Sequence, residues 1–301
     1  MPARKVRVIA KRKVWVDRFN VPLVKGTALH VGESITGRYA AKLTKMIDRM
    51  IAESKRDIVA CLEQHLPDDV VMDASPANQV QMVFNALQAK WDSAFGRIAS
   101  ATAWQFMDEV ADDSEHKLRE SLKELSGDLV LDTGVLTGEL HDMLDASVKE
   151  NVGLIKRVPS KYFDQMQGDV MRSIQSGEGL KDLIPALDKR GVEVRNWAKN
   201  VALDQTRKAF NGLNRGRMEA LGMQEFEWIH GGGSNHPREY HMNTLNGQIF
   251  SFDPEAENYL PHLDGPTKGP RGIPGQAPFC RCTMRPVFRL PKGYHDNDED
   301  E

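Results

Sequence analysis

The feature that most constrains this chain is an abrupt change of pattern at Gly222. Before it, apolar residues recur with the 3.6-residue period of a helix; after it, the period vanishes and glycine, proline and aromatic residues rise. Leu43, Met46, Ile47, Met50 and Ile51, with Ile58 and Leu62 beyond, predict a helix from about Ser34 that Leu66-Pro67-Asp68 ends. Ser75-Pro76 reads as an N-cap followed by proline at the first helical position. From there a second helix is expected to about Leu125, with Val80, Val83, Phe84 and Leu87 on one face and Trp91, Phe95, Trp104 and Phe106 as bulky anchors. Ser126-Gly127-Asp128 and Asp132-Thr133-Gly134 are breaks. Helical pattern resumes through Leu140, Met143, Leu144, Val152 and Ile155. It is expected to break at Pro159-Ser160 and to restart with Tyr162, Phe163, Met166, Val170 and Ile174. "QSGEGLKDLIPAL" predicts a helix end, a glycine turn and a short new helix. A last long helix is expected over 193–221, with Gly222 as its C′ residue.

Past Gly222, "FEWIH" and "GQIFSF" read as strands around a turn and "CRCTMRPVF" as a third strand. Asn246-Gly247 is a two-residue hairpin signal of type I′, which needs φ > 0 at both central positions. Pro254, Pro261, Pro266, Pro270, Pro274 and Pro278 make 253–279 a long irregular loop, and loops of that length tend to carry function. The fold class is therefore mainly α, with long helices to about residue 222 and then a small β-module with a long Pro/Gly-rich loop, α+β overall. In chain order this gives an extended arm at 1–32, helical regions at 33–150 and 151–222, the β-module at 223–292 and an acidic tail at 293–301.

Charge is uneven although the net value is only −3 over 301 residues, which excludes a uniformly basic nucleic-acid binder. The first eighteen residues carry seven Lys or Arg and one acid. Alternating Val6, Val8, Val14 and Val16 there fit short strands or an arm lying on nucleic acid or a partner. Arg4, Lys5, Arg7, Lys11, Arg12 and Lys13 are its candidate phosphate contacts. A second basic stripe, Arg207, Lys208, Arg215 and Arg217 with Arg195 and Lys199, reads either as a DNA contact or as a solvated helix face. No apolar run is long enough for a membrane span, and the basic N-terminus has no continuous apolar core of a signal peptide. Three cysteines, an odd and low number, argue against a disulfide framework and for a reducing compartment, unless the chain leaves it as part of a particle.

Cys280 and Cys282 share a face if they lie on a strand. His241 is the natural third ligand for a metal there, with His236 or His230 as a fourth. Structural zinc suits this mixed sulfur–nitrogen set, and a metal clip would help a small module with little core. The alternative is that the cysteines pack as small hydrophobes and His241 bonds within a turn. A metal-dependent hydrolase or nuclease would need a clear acidic ligand, for which Glu239 and Asp253 are undistinguished, and no nucleophile elbow stands at Cys280. No catalytic residue is assigned.

Three segments carry a family resemblance. The long stretch "RNWAKNVALDQTRKAFNGLNRGRMEALGMQEFEW" ends at Trp228. "REYHMNTLNG" holds Arg238, His241, Asn246 and Gly247, and Pro274-Gly275 is followed by Cys280-Arg281-Cys282. In order and spacing these resemble the phage Mu F-like head morphogenesis, or minor head, family over roughly 150–290. Two positions depart from its pattern: Ser234-Asn235-His236 stands where an acidic residue is usual, and Phe279 where asparagine is common. The resemblance implies a non-enzymatic protein of the virion head, assembled in the host cytoplasm. Its implied partners are portal, capsid or scaffold proteins, with packaged DNA as a further candidate and no membrane. A DNA-binding delivery protein is the alternative reading.

Overall fold

The computed structural model describes residues 14–17, 20–65, 76–126, 138–176, 180–233 and 236–290. Arg4, Lys5, Arg7, Lys11, Arg12, Lys13, Ser75, the breaks at 127–137 and the acidic tail lie outside the described residues. Four long helices dominate: α1 (Glu33–His65), α2 (Pro76–Ser126), α3 (Gly138–Ser176) and α4 (Leu180–Ala220). They join a five-stranded sheet built from β1 (Trp15–Val16), β2 (Pro22–Lys25), β3 (Glu225–Ile229), β4 (Ile249–Ser251) and β5 (Thr283–Arg289).

The break expected at Pro159-Ser160 is absent, and the short helix and the last long helix expected after it are one continuous helix. Helix α3 runs through Pro159 and α4 through Pro185. Interior proline costs about 3 kcal/mol, so tertiary packing must offset it. At Pro159 the compensation is visible, because Val158 and the proline itself are buried. Gly191, inside α4, faces Ile51 across a gap so small that a Cβ would sit 3.2 Å from its side chain. The end of α4 follows expectation. Gly222 has φ +73°, and the amides of Gly222 and Met223 donate to the carbonyls of Glu219 and Met218, which is a Schellman cap.

The chain forms two compact units, each from discontinuous stretches rather than from the chain-order regions bounded at 32, 150 and 222. One comprises 33–107 and 146–203, and its described residues are all helical. Its core holds Ile47, Met50, Phe95, Tyr162 and Phe163. Tyr39 stacks on Phe106 at 4.1 Å and donates its hydroxyl to Asn151 Oδ1 at 3.1 Å, which fixes α1 against α2 and α3. Arg190 to Asp169, at 2.6 Å, ties α4 to α3.

The other unit comprises 1–32, 108–145 and 204–301. Its sheet has the order β1-β2-β5-β3-β4, every pairing antiparallel. Strand β2 therefore lies against β5, some 260 residues away along the chain, in the register Leu23 to Arg289, Val24 to Phe288 and Lys25 to Val287. Residues 14–32 are thus part of the module, not an arm beside it. Side-chain pairing explains why this register holds. Buried Glu227 on β3 accepts from Lys25 at 2.9 Å and from Arg285 at 2.8 Å, so one carboxylate is shared by three strands. Asp113 on α2 accepts from the Gly32 amide at 2.8 Å, and Ser121 donates to the Thr27 carbonyl at 3.0 Å.

The Asn246-Gly247 turn is of type II, not I′. Asn246 has φ −58° and ψ 126°, Gly247 has φ +79°, and the Gln248 amide donates to the Leu245 carbonyl at 3.0 Å. Only its second central residue needs φ > 0. It closes a π-helical turn, Tyr240–Leu245, rather than two facing strands.

Since Leu23 is 1% exposed inside this sheet, Leu23→Ala should cost about 2–5 kcal/mol of unfolding free energy in urea titration. A loss below about 0.5 kcal/mol, the usual size for a surface change, would return residues 22–25 to the status of a loose arm.

Candidate functional site

The site grows from three pieces of backbone that β3 and β5 bring together. His230 follows the last residue of β3, His241 sits in the π-helical turn, and Cys280-Arg281-Cys282 immediately precedes β5. The cysteines are thus not on the strand, as the alternation argument supposed, but in the turn that leads into it. Their side chains converge nonetheless. His241 Nδ1 lies 3.5 Å from Cys280 Sγ and 3.7 Å from Cys282 Sγ, and all three residues are buried.

Each member is held from behind. His241 is 1% exposed, and its Nε2 is 2.8 Å from the Leu263 carbonyl. A carbonyl only accepts, so Nε2 carries a proton and Nδ1 is turned to the sulfurs. Trp228, fully buried, places its ring edge-on to the imidazole at 5.1 Å. Its indole N–H makes no hydrogen bond to nitrogen or oxygen, yet the ring lies close enough to Cys282 to favour a thiolate there. Gly231 lets this end of β3 reach the cysteine turn. A Cβ at that position would fall 1.8 Å from the Arg281 carbonyl oxygen.

The electrostatics follow from that geometry. The two sulfurs behave as one unit sharing a proton. A hydrogen bond from Cys282 pulls the Cys280 thiol well below the usual range; burial opposes this, while His241 and the amides of Cys282 and Gly275 assist it. The same bond pushes Cys282 up, and burial adds to that. His241 is lowered by burial, but the Cys280 sulfur and the Leu263 carbonyl outweigh it and leave the imidazole above its ordinary value. Arg207 on α4 completes the set. Burial lowers its pKa, Arg281 adds to this, and the two sulfurs with Asp204 oppose it. Its Nη1 is buried with no hydrogen-bond partner.

Other predicted residues separate into groups. His236 is exposed and lines the mouth of the cavity, outside the three-way cluster. His230 instead brings Nδ1 to 3.6 Å from Cys282 Sγ. Arg238 donates to the Pro278 carbonyl at 2.8 Å, which fastens the segment before His241 to the one before Cys280. Asn246 Oδ1 accepts from the His230 amide at 2.9 Å. Pro274 and Gly275 are buried against α4, where a Cβ on Gly275 would come within 2.6 Å of Asn211.

The basic stripe on α4 does not persist as a face. Arg217 is 3% exposed and donates to Ser114 Oγ at 2.7 Å and to the Ala111 carbonyl, so it is withdrawn from phosphate contact. Lys208 pairs with Asp204 at 2.7 Å, and Arg215 pairs with Glu219 and lies over Phe252. Arg207 serves the cysteine cluster. Sequence periodicity could not separate these roles, because i, i+4 acids and a buried arginine look the same as a solvated row. The position of Arg207 one turn before Asn211, on the same helix face, was the signal available.

Residues 164–285 match the family model described as phage Mu protein F like protein. This stretch is similar to that family. An uncharacterized protein of Haemophilus influenzae is 29% identical over 150 residues, which are 50% of this chain and 30% of that relative. The chain thus spans about a third of the length of that curated relative. No solved structure matches. The Mu F-like stretch contains α4, β3, β4, the π-helical turn and every member of the His/Cys cluster, but not β2 or α2, which complete its packing in this chain.

The departure at Phe279 now has a physical meaning. Phe279 has φ +56° and its amide donates to Asp204 Oδ1 at 2.6 Å. Asparagine tolerates this left-handed conformation and phenylalanine does not. Because Phe279 is 59% exposed and packs little, Phe279→Asn should stabilise the protein by about 1 kcal/mol in chemical denaturation. Gly231→Ala should destabilise it by about 1–3 kcal/mol, since backbone must move to admit the methyl group. A neutral Gly231→Ala and a destabilising Phe279→Asn would together contradict the geometry of the cysteine turn.

Proposed function

We propose that this chain is a head morphogenesis protein of a tailed phage or prophage, a minor component that binds the portal or inner capsid while the head assembles. The observation that carries the reading is the Mu F-like match over residues 164–285. Two features of the molecule agree with a binding role. The members of the His/Cys cluster are held by the surrounding loop, as an anchor requires, and we assign no catalytic step to them. The sheet ends in the short edge strand β1, on which Trp15 and Val16 are 39% and 60% exposed. These exposed apolar side chains are the contacts the proposal offers to a protein partner. No helix among the described residues is long and apolar enough to cross a membrane.

DNA contact is the weaker reading, since α4 commits its arginines and Lys208 to ion pairs, to buried polar bonds or to the cysteine cluster. It rests on the basic residues before Val14 alone. The virion head, reached after assembly in the host cytoplasm, is the location this proposal requires.

The test is to delete the gene from the phage or prophage that encodes it and to analyse purified heads by mass spectrometry. The chain should be present in wild-type heads in low copy, and the deletion should lower the yield of filled heads at least tenfold. Heads that lack the chain, with unchanged particle yield after deletion, would contradict the proposal.

A further inference from the structure

We propose that the Cys280–Cys282–His241 cluster binds one Zn²⁺ as a structural clip, with His230 and not His236 as the fourth ligand. This inference does not depend on the head-assembly reading. It stands on distances, donor chemistry and what surrounds the donors.

Tetrahedral zinc with Zn–S of about 2.3 Å and Zn–N of about 2.0–2.1 Å puts its sulfur and nitrogen ligands about 3.6 Å apart. The three sulfur–nitrogen separations here are 3.5, 3.7 and 3.6 Å, the last being His230 to Cys282. The ligand atoms of His241, Cys280 and Cys282 all lie within 4.8 Å of one another. His230 stands at the edge of this set and joins it by a movement of its half-buried ring. Two thiolates and two imidazoles suit zinc over calcium or magnesium, which take oxygen ligands.

The surroundings are those of thiolate ligands. His241 gives its other ring N–H to the Leu263 carbonyl, as metal-bound imidazoles do, which fixes the tautomer that presents Nδ1. Backbone amides of Cys282 and Gly275 reach Cys280, and that of Gly231 reaches Cys282. Arg207 supplies positive charge beside both sulfurs.

A clip also answers a structural need. Between β4 and β5 the chain runs through residues 252–282 with no helix or strand. It is fastened instead by turns, by the isolated bridges Ser251 to Tyr259 and His262 to Arg271, and by the cysteine turn. A metal would join the end of β3, the π-helical turn and the end of this loop at one point.

The experiment uses the full chain, expressed in zinc-replete cells and purified without chelator. Plasma mass spectrometry should find about one zinc per chain. Exchange with Co²⁺ should give the intense visible bands of a tetrahedral ion and a near-ultraviolet thiolate-to-cobalt band. His230→Ala should weaken zinc affinity at least tenfold in competition with a chromogenic chelator, whereas His236→Ala should leave it unchanged. Far-ultraviolet circular dichroism of both variants, matching the wild type, separates lost affinity from lost fold. A wild-type chain that holds no zinc and gives no tetrahedral cobalt spectrum would overturn the site. Loss of affinity in His236→Ala with none in His230→Ala would overturn the choice of fourth ligand. Zinc retained by a Cys280→Ser/Cys282→Ser protein would place the ion elsewhere and overturn both.

Discussion

Strand β5 is where the module is held together. It is paired on one side by β2, from the beginning of the chain, and on the other by β3, which follows the last helix. Thr283, its first residue, donates to the Leu29 carbonyl and lies 3.3 Å from Asn211 on α4. One buried hydroxyl therefore joins the N-terminal segment, the last helix and the last strand. Buried polar groups are costly unless satisfied, so these partners must assemble together or not at all. Glu227 repeats the arrangement one strand over, with cations from β2 and β5.

The His/Cys cluster depends on this hub. The cysteines come at the entry to β5, His230 at the exit from β3, and Arg207 and Asp204 one turn or more before Asn211 on the same helix. Fixing β5 against α4 and β3 fixes the distances among all of them. The loop from 252 to 282 contributes carbonyls and amides rather than regular structure: Leu263 orients His241, Pro278 holds Arg238, and the Phe279 amide reaches Asp204. The site is thus set on rigid elements and on a loop tied at many points.

Much of this was legible in the residues. Apolar spacing marked α1 and α2 nearly to their ends, because both helices bury one continuous face. It failed at Pro159, where packing from other helices keeps the chain helical despite a lost hydrogen bond, and it divided α4 into two helices where there is one. It failed at the N-terminus for a different reason. The partners of Leu23 and Val24 are Arg289 and Phe288, and nothing local to residues 22–25 encodes a pairing so distant. In the site, residue chemistry picked out His241, Cys280 and Cys282. It left His230 and His236 level, since their separation in space depends on the glycines at 231–233 and on the π-helical turn. Arg207 and Arg217 were hidden in plain sight, because charge on a helix reads as solvated until a neighbour covers it.

The central claim is that residues 14–32 and 204–290 fold as one cooperative body around β5. Native-state hydrogen exchange, followed by mass spectrometry at peptide resolution, tests this most directly. Peptides covering 22–25, 225–229 and 283–289 should share one protection free energy and lose it together at the same denaturant concentration. Fast exchange at 22–25 beside protected β3 and β5 would contradict the claim, and would leave the hub at Thr283 without its N-terminal partner.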